Sequence, residues 1–80
     1  MDIFDQVCDI IRENMGFDEK VTFTEDMTFG EMELDSLDVV ECIMSIEEEL
    51  GVEIDEDEER LNSRSTLGEL VEIIKDKKGI

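Results

Sequence analysis

The chain has 80 residues, of which 25 are acidic and 7 are basic, so its formal net charge at pH 7 is −18. A charge of this sign and size repels nucleic acids and anionic lipids, and it favours protein partners that present Lys and Arg. With two cysteines and no histidine, the chain has no residues from which to build a zinc site or a Cys–His catalytic pair, and we expect no metal site.

The hydrophobic content of 40% argues against disorder, and the length predicts one small domain over residues 1–80. No apolar run reaches about 18 residues and no basic-then-apolar leader opens the chain, so we expect neither a membrane span nor a signal peptide. We therefore expect a soluble, monomeric protein of the cytoplasm. The cysteines, Cys8 and Cys42, both lie on apolar helix faces and are predicted to be reduced core residues.

The first predicted helix runs from about Asp2 to Met15 and ends at Gly16. Asp2 and Asp5 lie in its first turn, where acids suit the helix dipole. Its apolar residues recur at three- and four-residue steps: Ile3, Phe4, Val7, Cys8, Ile11 and Met15. This pattern predicts a packing role and no chemistry.

Residues 17–35 form a long connection in which apolar side chains alternate irregularly with acids and threonines. A loop of this length with so many apolar residues is predicted to be pinned to the core. We expect one helical turn within it, near Thr28 to Met32.

The second predicted helix runs from Ser36 to Leu50, because this stretch contains no Gly or Pro and Gly51 follows it. One apolar face, predicted to enter the core, comprises Val39, Cys42, Ile43, Ile46 and Leu50. A second apolar strip comprises Leu37, Val40 and Met44, and its bordering acids are Glu41, Glu47 and Glu48. Periodicity leaves two interpretations open: both strips are core, or the second is an exposed docking surface.

Ser36 lies at the first turn of this helix, where free backbone N–H groups and the dipole would favour a phosphate ester. Asp35 and Asp38 partly oppose that effect. The alternative is purely structural: Asp35 or Ser36 is an N-cap, and Asp38 completes an arrangement like a capping box.

An acidic run, Asp55 to Glu59, follows the second helix. It does not fit an EF-hand loop, because Arg60 stands where that loop needs Gly. The last helix is predicted to open at Thr66, which has Glu69 at capping-box spacing, and to close at Gly79. Its predicted apolar face comprises Leu67, Leu70, Val71 and Ile74.

The stretch Asp35-Ser36-Leu37-Asp38-Val39-Val40-Glu41, with residues 44–51 after it, resembles the helix II signature of acyl carrier proteins. The resemblance extends over nearly the whole chain in length, charge and spacing. It implies an all-α fold, a four-helix bundle of three long helices and one short helix. The short third helix would lie in the region of the acidic run and would be loosely held.

The resemblance also implies that Ser36 carries 4'-phosphopantetheine, transferred from coenzyme A by a phosphopantetheinyl transferase, with an acyl group held as a thioester. Asp35 and Leu37 then belong to the modification motif. Partner enzymes of fatty acid synthesis, with basic docking patches, would grip an acidic and apolar surface made of Leu37, Asp38, Val40, Glu41, Met44, Glu47 and Glu48.

In the family the long connection helps to line an acyl cavity, which makes Phe29 and Met32 candidates for its wall; ordinary core is the alternative for each. Two positions depart from the family pattern. Glu33 stands where many members have Gly, and Asp55 stands where many have a Pro that opens the third helix.

The sequence thus predicts a carrier protein of fatty acid biosynthesis that is not an enzyme. A carrier of a polyketide, peptide or amino-acyl pathway is an alternative within the same class. An unmodified acidic adaptor, binding proteins through the Leu37, Val40 and Met44 strip, is an alternative from another class. A hydrolase is disfavoured because no His is present to activate Ser36.

Overall fold

The computed structural model describes residues 2–54 and 61–79, and within these ranges its regular elements are three helices. They are α1 (Ile3–Met15), α2 (Ser36–Leu50) and α3 (Leu67–Lys78). The all-helical fold and the bounds of all three long helices confirm the sequence predictions. The short helix predicted in the acidic run falls at residues 55–60, outside the described residues.

The helix ends are where local sequence signals placed them. The side chain of each N-cap accepts a backbone N–H from the first turn: Asp2 from Phe4, Asp35 from Asp38, and Thr66 from Glu69. Each helix ends on a glycine in the left-handed conformation: Gly16, Gly51 and Gly79. The end of α2 has an additional tertiary cap, because Lys78 Nζ donates to the Leu50 carbonyl oxygen at 3.0 Å.

Helix α1 packs against both α2 and α3. It runs antiparallel to α2: the Ser45 hydroxyl donates to Asn14 Oδ1 at 2.8 Å, whereas Leu50, further along α2, shares a surface depression with Gln6 and Ile10. Core residues come from every helix and also from the connections, which contribute Phe23, Phe29, Met32, Leu34, Val52, Ile54 and Leu61. No helix in the described parts of the chain is long and apolar enough to cross a bilayer.

The connection between α1 and α2 is pinned to the core, as predicted, and it contains the expected turn. Met32 N donates to the Thr28 carbonyl oxygen at 3.3 Å, and Thr28 and Glu31 cap this turn reciprocally. Backbone hydrogen bonds also join residues 25–30 to residues 63–68, just before and into α3. They run from Phe29 N to Ser65 O, Gly30 N to Ser63 O, Leu67 N to Met27 O, and Gly68 N to Glu25 O.

The close backbone approach at Gly30 predicts that Gly30→Ala destabilises the protein by about 1–3 kcal/mol. A Cβ at this position would lie 2.9 Å from the Ser63 carbonyl oxygen, which accepts the Gly30 N–H at 2.8 Å. The usual benefit of Gly→Ala in the unfolded chain is smaller than this clash. Urea unfolding would measure the change, with Ser63→Ala as the control because it leaves the carbonyl in place. A Gly30→Ala protein as stable as the parent would refute the constraint.

Candidate functional site

The tip of α2 is built by two reciprocal hydrogen bonds. Asp35 is the N-cap, and its Oδ1 accepts the Asp38 N–H at 2.8 Å; Asp38 Oδ2 accepts the Asp35 N–H at 3.3 Å. The capping-box interpretation is therefore confirmed for Asp35 and Asp38. It does not extend to Ser36, which is the first residue of the helix and not its cap.

Ser36 is exposed, and its hydroxyl makes no hydrogen bond to any other residue of the described ranges. Nothing in this part of the chain has to be displaced before the oxygen is esterified. The first turn of α2 has unpaired backbone N–H groups and the positive end of the helix dipole, so an anion attached to Ser36 would be stabilised there.

The same geometry lacks what a serine nucleophile needs. The chain has no histidine, and both carboxylates that flank Ser36 along the helix tip accept backbone N–H groups. A hydroxyl without an adjacent base reacts slowly at neutral pH. No residue in the described ranges is hydrogen-bonded to the Ser36 hydroxyl as a base, so we expect the base for any chemistry at Ser36 to come from another protein.

The second apolar strip of α2 lies on the surface. The exposed fractions are 67% for Leu37, 37% for Val40 and 59% for Met44. The interpretation that both strips are core is therefore wrong: the core side of α2 is the face that contains Val39 and Ile43. Apolar side chains that remain exposed beside Ser36 are typical of a binding surface, and their role in docking stays a prediction.

The acids beside this strip differ in their surroundings. Glu41 and Glu48 are exposed, whereas Glu47 is half-buried and its Oε2 accepts the Ile54 N–H at 3.3 Å. Glu47 thus tethers the segment that follows α2. The sequence placed all three acids in one docking set and gave no signal for this tether, because the contact joins residues seven positions apart across the helix end.

Phe29 and Met32, the candidates for an acyl-cavity wall, are both buried in the core, with exposed fractions of 1% and 4%. Met32 also lines a surface pocket of about 190 Å³, together with Val21, Phe23 and Met27. Their burial fits ordinary packing, and a role in holding an acyl chain stays a prediction.

Glu33, two residues before the N-cap, has φ of +63° and is the one non-glycine residue with positive φ in the described ranges. It ends the turn that begins at Thr28, and its N–H donates to the Gly30 carbonyl oxygen at 3.0 Å. Glycine adopts this conformation without the steric cost that a side chain brings. The departure from glycine at this position was the available sequence signal, but it did not reveal the conformation.

Both cysteines are buried free thiols, as predicted. Burial raises the pKa of Cys8 from 9.0 to about 11. Burial also raises the pKa of Cys42 to about 11, and the negative charges of Asp38 and Glu41 add to this effect. Since the thiolate is the reactive form, both residues are inert near neutral pH.

Because both thiols are buried, we expect them to react slowly with a thiolate-directed reagent, such as a chromogenic disulfide, as long as the protein is folded. At pH 8 the folded, unmodified protein should react at both cysteines at least about tenfold more slowly than the same protein in denaturant, because burial blocks access and keeps the thiols protonated. A phosphopantetheine arm on Ser36, as the sequence predicts, would end in an exposed thiol, and this thiol would react rapidly with one further equivalent of the reagent. Rapid labelling of Cys8 or Cys42 in the folded protein would contradict the assignment of both to the core.

Residues 5–74 match the family described as phosphopantetheine attachment site. The chain is 39% identical over 70 residues to "Acyl carrier protein 1, chloroplastic" of Spinacia oleracea, an alignment that covers 88% of this chain and 49% of that protein. The chain thus spans about half the length of this curated relative. No solved structure matches the chain significantly.

Proposed function

The chain belongs to the phosphopantetheine-bearing family of acyl carrier proteins, and on this premise we propose that it carries acyl groups of fatty acid biosynthesis on an arm attached to Ser36. The group that the family carries is 4'-phosphopantetheine, bound covalently. When attached, it supplies a thiol that holds the acyl group as a thioester. The protein itself catalyses no step of this cycle.

The observation that carries the proposal is the free, exposed Ser36 hydroxyl at the tip of α2. The reciprocal bonds of Asp35 and Asp38 fix the backbone on both sides of it. In the loading step the Ser36 oxygen bonds to the pantetheinyl phosphorus of coenzyme A, the bond to the nucleotide phosphate breaks, and a base of the transferase takes the hydroxyl proton. Asp35 therefore positions the backbone around Ser36, and Ser36 is the attachment point of the arm.

The surface around Ser36 supports weak docking of successive enzymes. Leu37, Val40 and Met44 offer apolar contacts, and Glu41 and Glu48 offer exposed charge beside them. Charged rims of this kind speed association and make it sensitive to salt, while a small apolar centre limits affinity. A carrier needs both properties, because each enzyme must bind it and then release it.

Loading measured by intact mass tests the attachment site. The unmodified chain is incubated with coenzyme A and a phosphopantetheinyl transferase, alongside Ser36→Ala and a matched control, Ser45→Ala, on the same helix. We expect the parent and Ser45→Ala to gain the mass of one phosphopantetheinyl group and Ser36→Ala to gain nothing. Loading of Ser36→Ala, or an unloaded parent, would overturn the proposal.

Fatty acid synthesis is the pathway we propose, and reconstitution tests it against the other carrier pathways. The loaded protein should accept a malonyl group and support elongation by fatty acid synthesis enzymes. A protein that loads but is charged only by amino-acid-activating or polyketide enzymes would move the function to one of those pathways. We also propose that a short helix lies between α2 and α3. We propose a cytoplasmic location for the protein, whereas the spinach relative is chloroplastic by its name.

The exposed strip also favours a second candidate, an unmodified acidic adaptor that binds proteins through Leu37, Val40 and Met44. This candidate leaves the unpaired Ser36 hydroxyl without a role. The two differ in one measurement: an adaptor binds its partners equally well with Ser36→Ala, whereas a carrier loses all transfer activity with that variant.

A further inference from the structure

Glu33 holds a strained backbone conformation close to Ser36. Its φ of +63° is sterically unfavourable for an amino acid with a side chain relative to the right-handed region, and glycine avoids this cost. Two residues, Leu34 and Asp35, lie between it and Ser36, so the Cα atoms of Glu33 and Ser36 are within about 11 Å of each other. Strain that persists next to a functional residue points to a use for the side chain.

The fold does not use the Glu33 side chain. Glu33 is exposed, and its carboxylate makes no hydrogen bond or ion pair with any residue in the described parts of the chain. Glu31, two residues earlier, contrasts with it: Glu31 Oε1 accepts from the Thr28 N–H at 3.2 Å and from the Thr28 hydroxyl at 3.1 Å. The turn therefore needs Glu31, while Glu33 remains free for a partner.

The surroundings of Glu33 suit one kind of group. The surface pocket of about 190 Å³ beside it has an apolar wall that includes Val21, Met27 and Met32, and Glu31 and Glu33 also line this pocket. Its volume slightly exceeds that of a cavity of about 150 Å³ that takes one benzene. A long basic side chain buries its aliphatic stem against apolar surface and keeps its charged end at an acid.

We infer that Glu33 determines specificity for the enzyme that loads Ser36: its carboxylate pairs with a Lys or Arg of the transferase, and the stem of that residue lies in the pocket formed by Val21, Met27 and Met32. This inference rests on the proposed function. It extends the contact surface from α2 to the turn that precedes it. The backbone strain is the cost of placing a carboxylate there.

Two substitutions at Glu33 separate recognition from structure. Glu33→Gln keeps the side chain and removes the charge; we expect the KM of a phosphopantetheinyl transferase for the carrier to rise about three- to fivefold at low salt, with kcat unchanged. Glu33→Gly removes the charge and the strain, so KM should rise by the same factor while Tm rises by about 2–6 °C. The matched control is Glu72→Gln, an exposed acid on α3. At about 0.5 M salt the differences in KM should vanish.

A purely structural residue would give another pattern. If Glu33→Gln has the same KM as Glu72→Gln while the parent loads normally, the inference is overturned and the proposed function stands. If Glu33→Gly lowers Tm, the strain argument is wrong and the inference falls with it. If the parent protein is not loaded at all, the proposed function itself fails.

Discussion

Replacing Glu41 and Glu48 together by Lys is expected to raise the KM of enzymes that act on the loaded carrier by at least about tenfold, with the fold intact. Both acids are exposed beside the Leu37, Val40 and Met44 strip. In the proposed docking, each substitution removes an attraction to a basic patch of the partner and adds a repulsion, so the rise in KM should exceed that from neutralising the same acids. Glu47 is left out because its bond to the Ile54 N–H would mix a structural effect with the electrostatic one.

The matched control for this experiment is the double variant Glu13→Lys, Glu72→Lys. Both residues are exposed acids on other helices, and their reversal changes the net charge by the same amount. Reducing the self-repulsion of a chain with a net charge of −18 should leave either variant at least as stable as the parent. Steady-state kinetics at two salt concentrations measures the effect. Equal KM values for the two double variants would show that total charge, and not the α2 surface, governs binding.

The helix bounds could be predicted because the signals that set them are local. An acid or threonine before each first turn and a glycine after each last turn, such as Asp35 and Gly51 around α2, lie within a few residues of the ends they define. The core face of α2 followed from periodicity for the same reason. In the folded protein, tertiary packing keeps each of these segments in the conformation that its local sequence favours.

What could not be predicted depends on contacts between distant segments. Periodicity put Leu37 and Val39 on two apolar strips and had no means of telling which strip has a neighbour; only the positions of α1 and α3 decide it. The backbone bonds between residues 25–30 and 63–68 leave no apolar pattern, since carbonyl and N–H groups are the same in every residue. The tether from Glu47 to Ile54 leaves no apolar pattern either. The positive φ of Glu33 is a local feature, and its sequence signal, a side chain at a position where related sequences have glycine, did not reveal it.

Phe29→Ala is expected to lower the free energy of unfolding by about 3–5 kcal/mol. Phe29 is the largest of the fully buried side chains in the described ranges. A domain of this length has a total stability of about 4–12 kcal/mol, so the substitution should remove at least about a quarter of it. We expect the substitution to affect the position of Ser36 as well, because the Phe29 carbonyl oxygen accepts the N–H groups of Met32 and Leu34 in the turn that leads to α2.

Two further substitutions serve as controls. One tests whether the aromatic ring of Phe29 matters beyond its volume, and the other tests whether the buried position of Phe29 matters. Phe29→Leu keeps most of the volume and should cost less than about 1.5 kcal/mol. Phe4→Ala removes the same atoms from a half-buried position on α1 and should cost distinctly less than Phe29→Ala. Urea unfolding of the three variants gives the ranking. If Phe29→Ala and Phe4→Ala lose equal stability, the deeper burial of Phe29 does not determine the cost. If Phe29→Leu is stable yet no longer protects a long acyl chain on the arm, the ring of Phe29 forms part of the cavity wall.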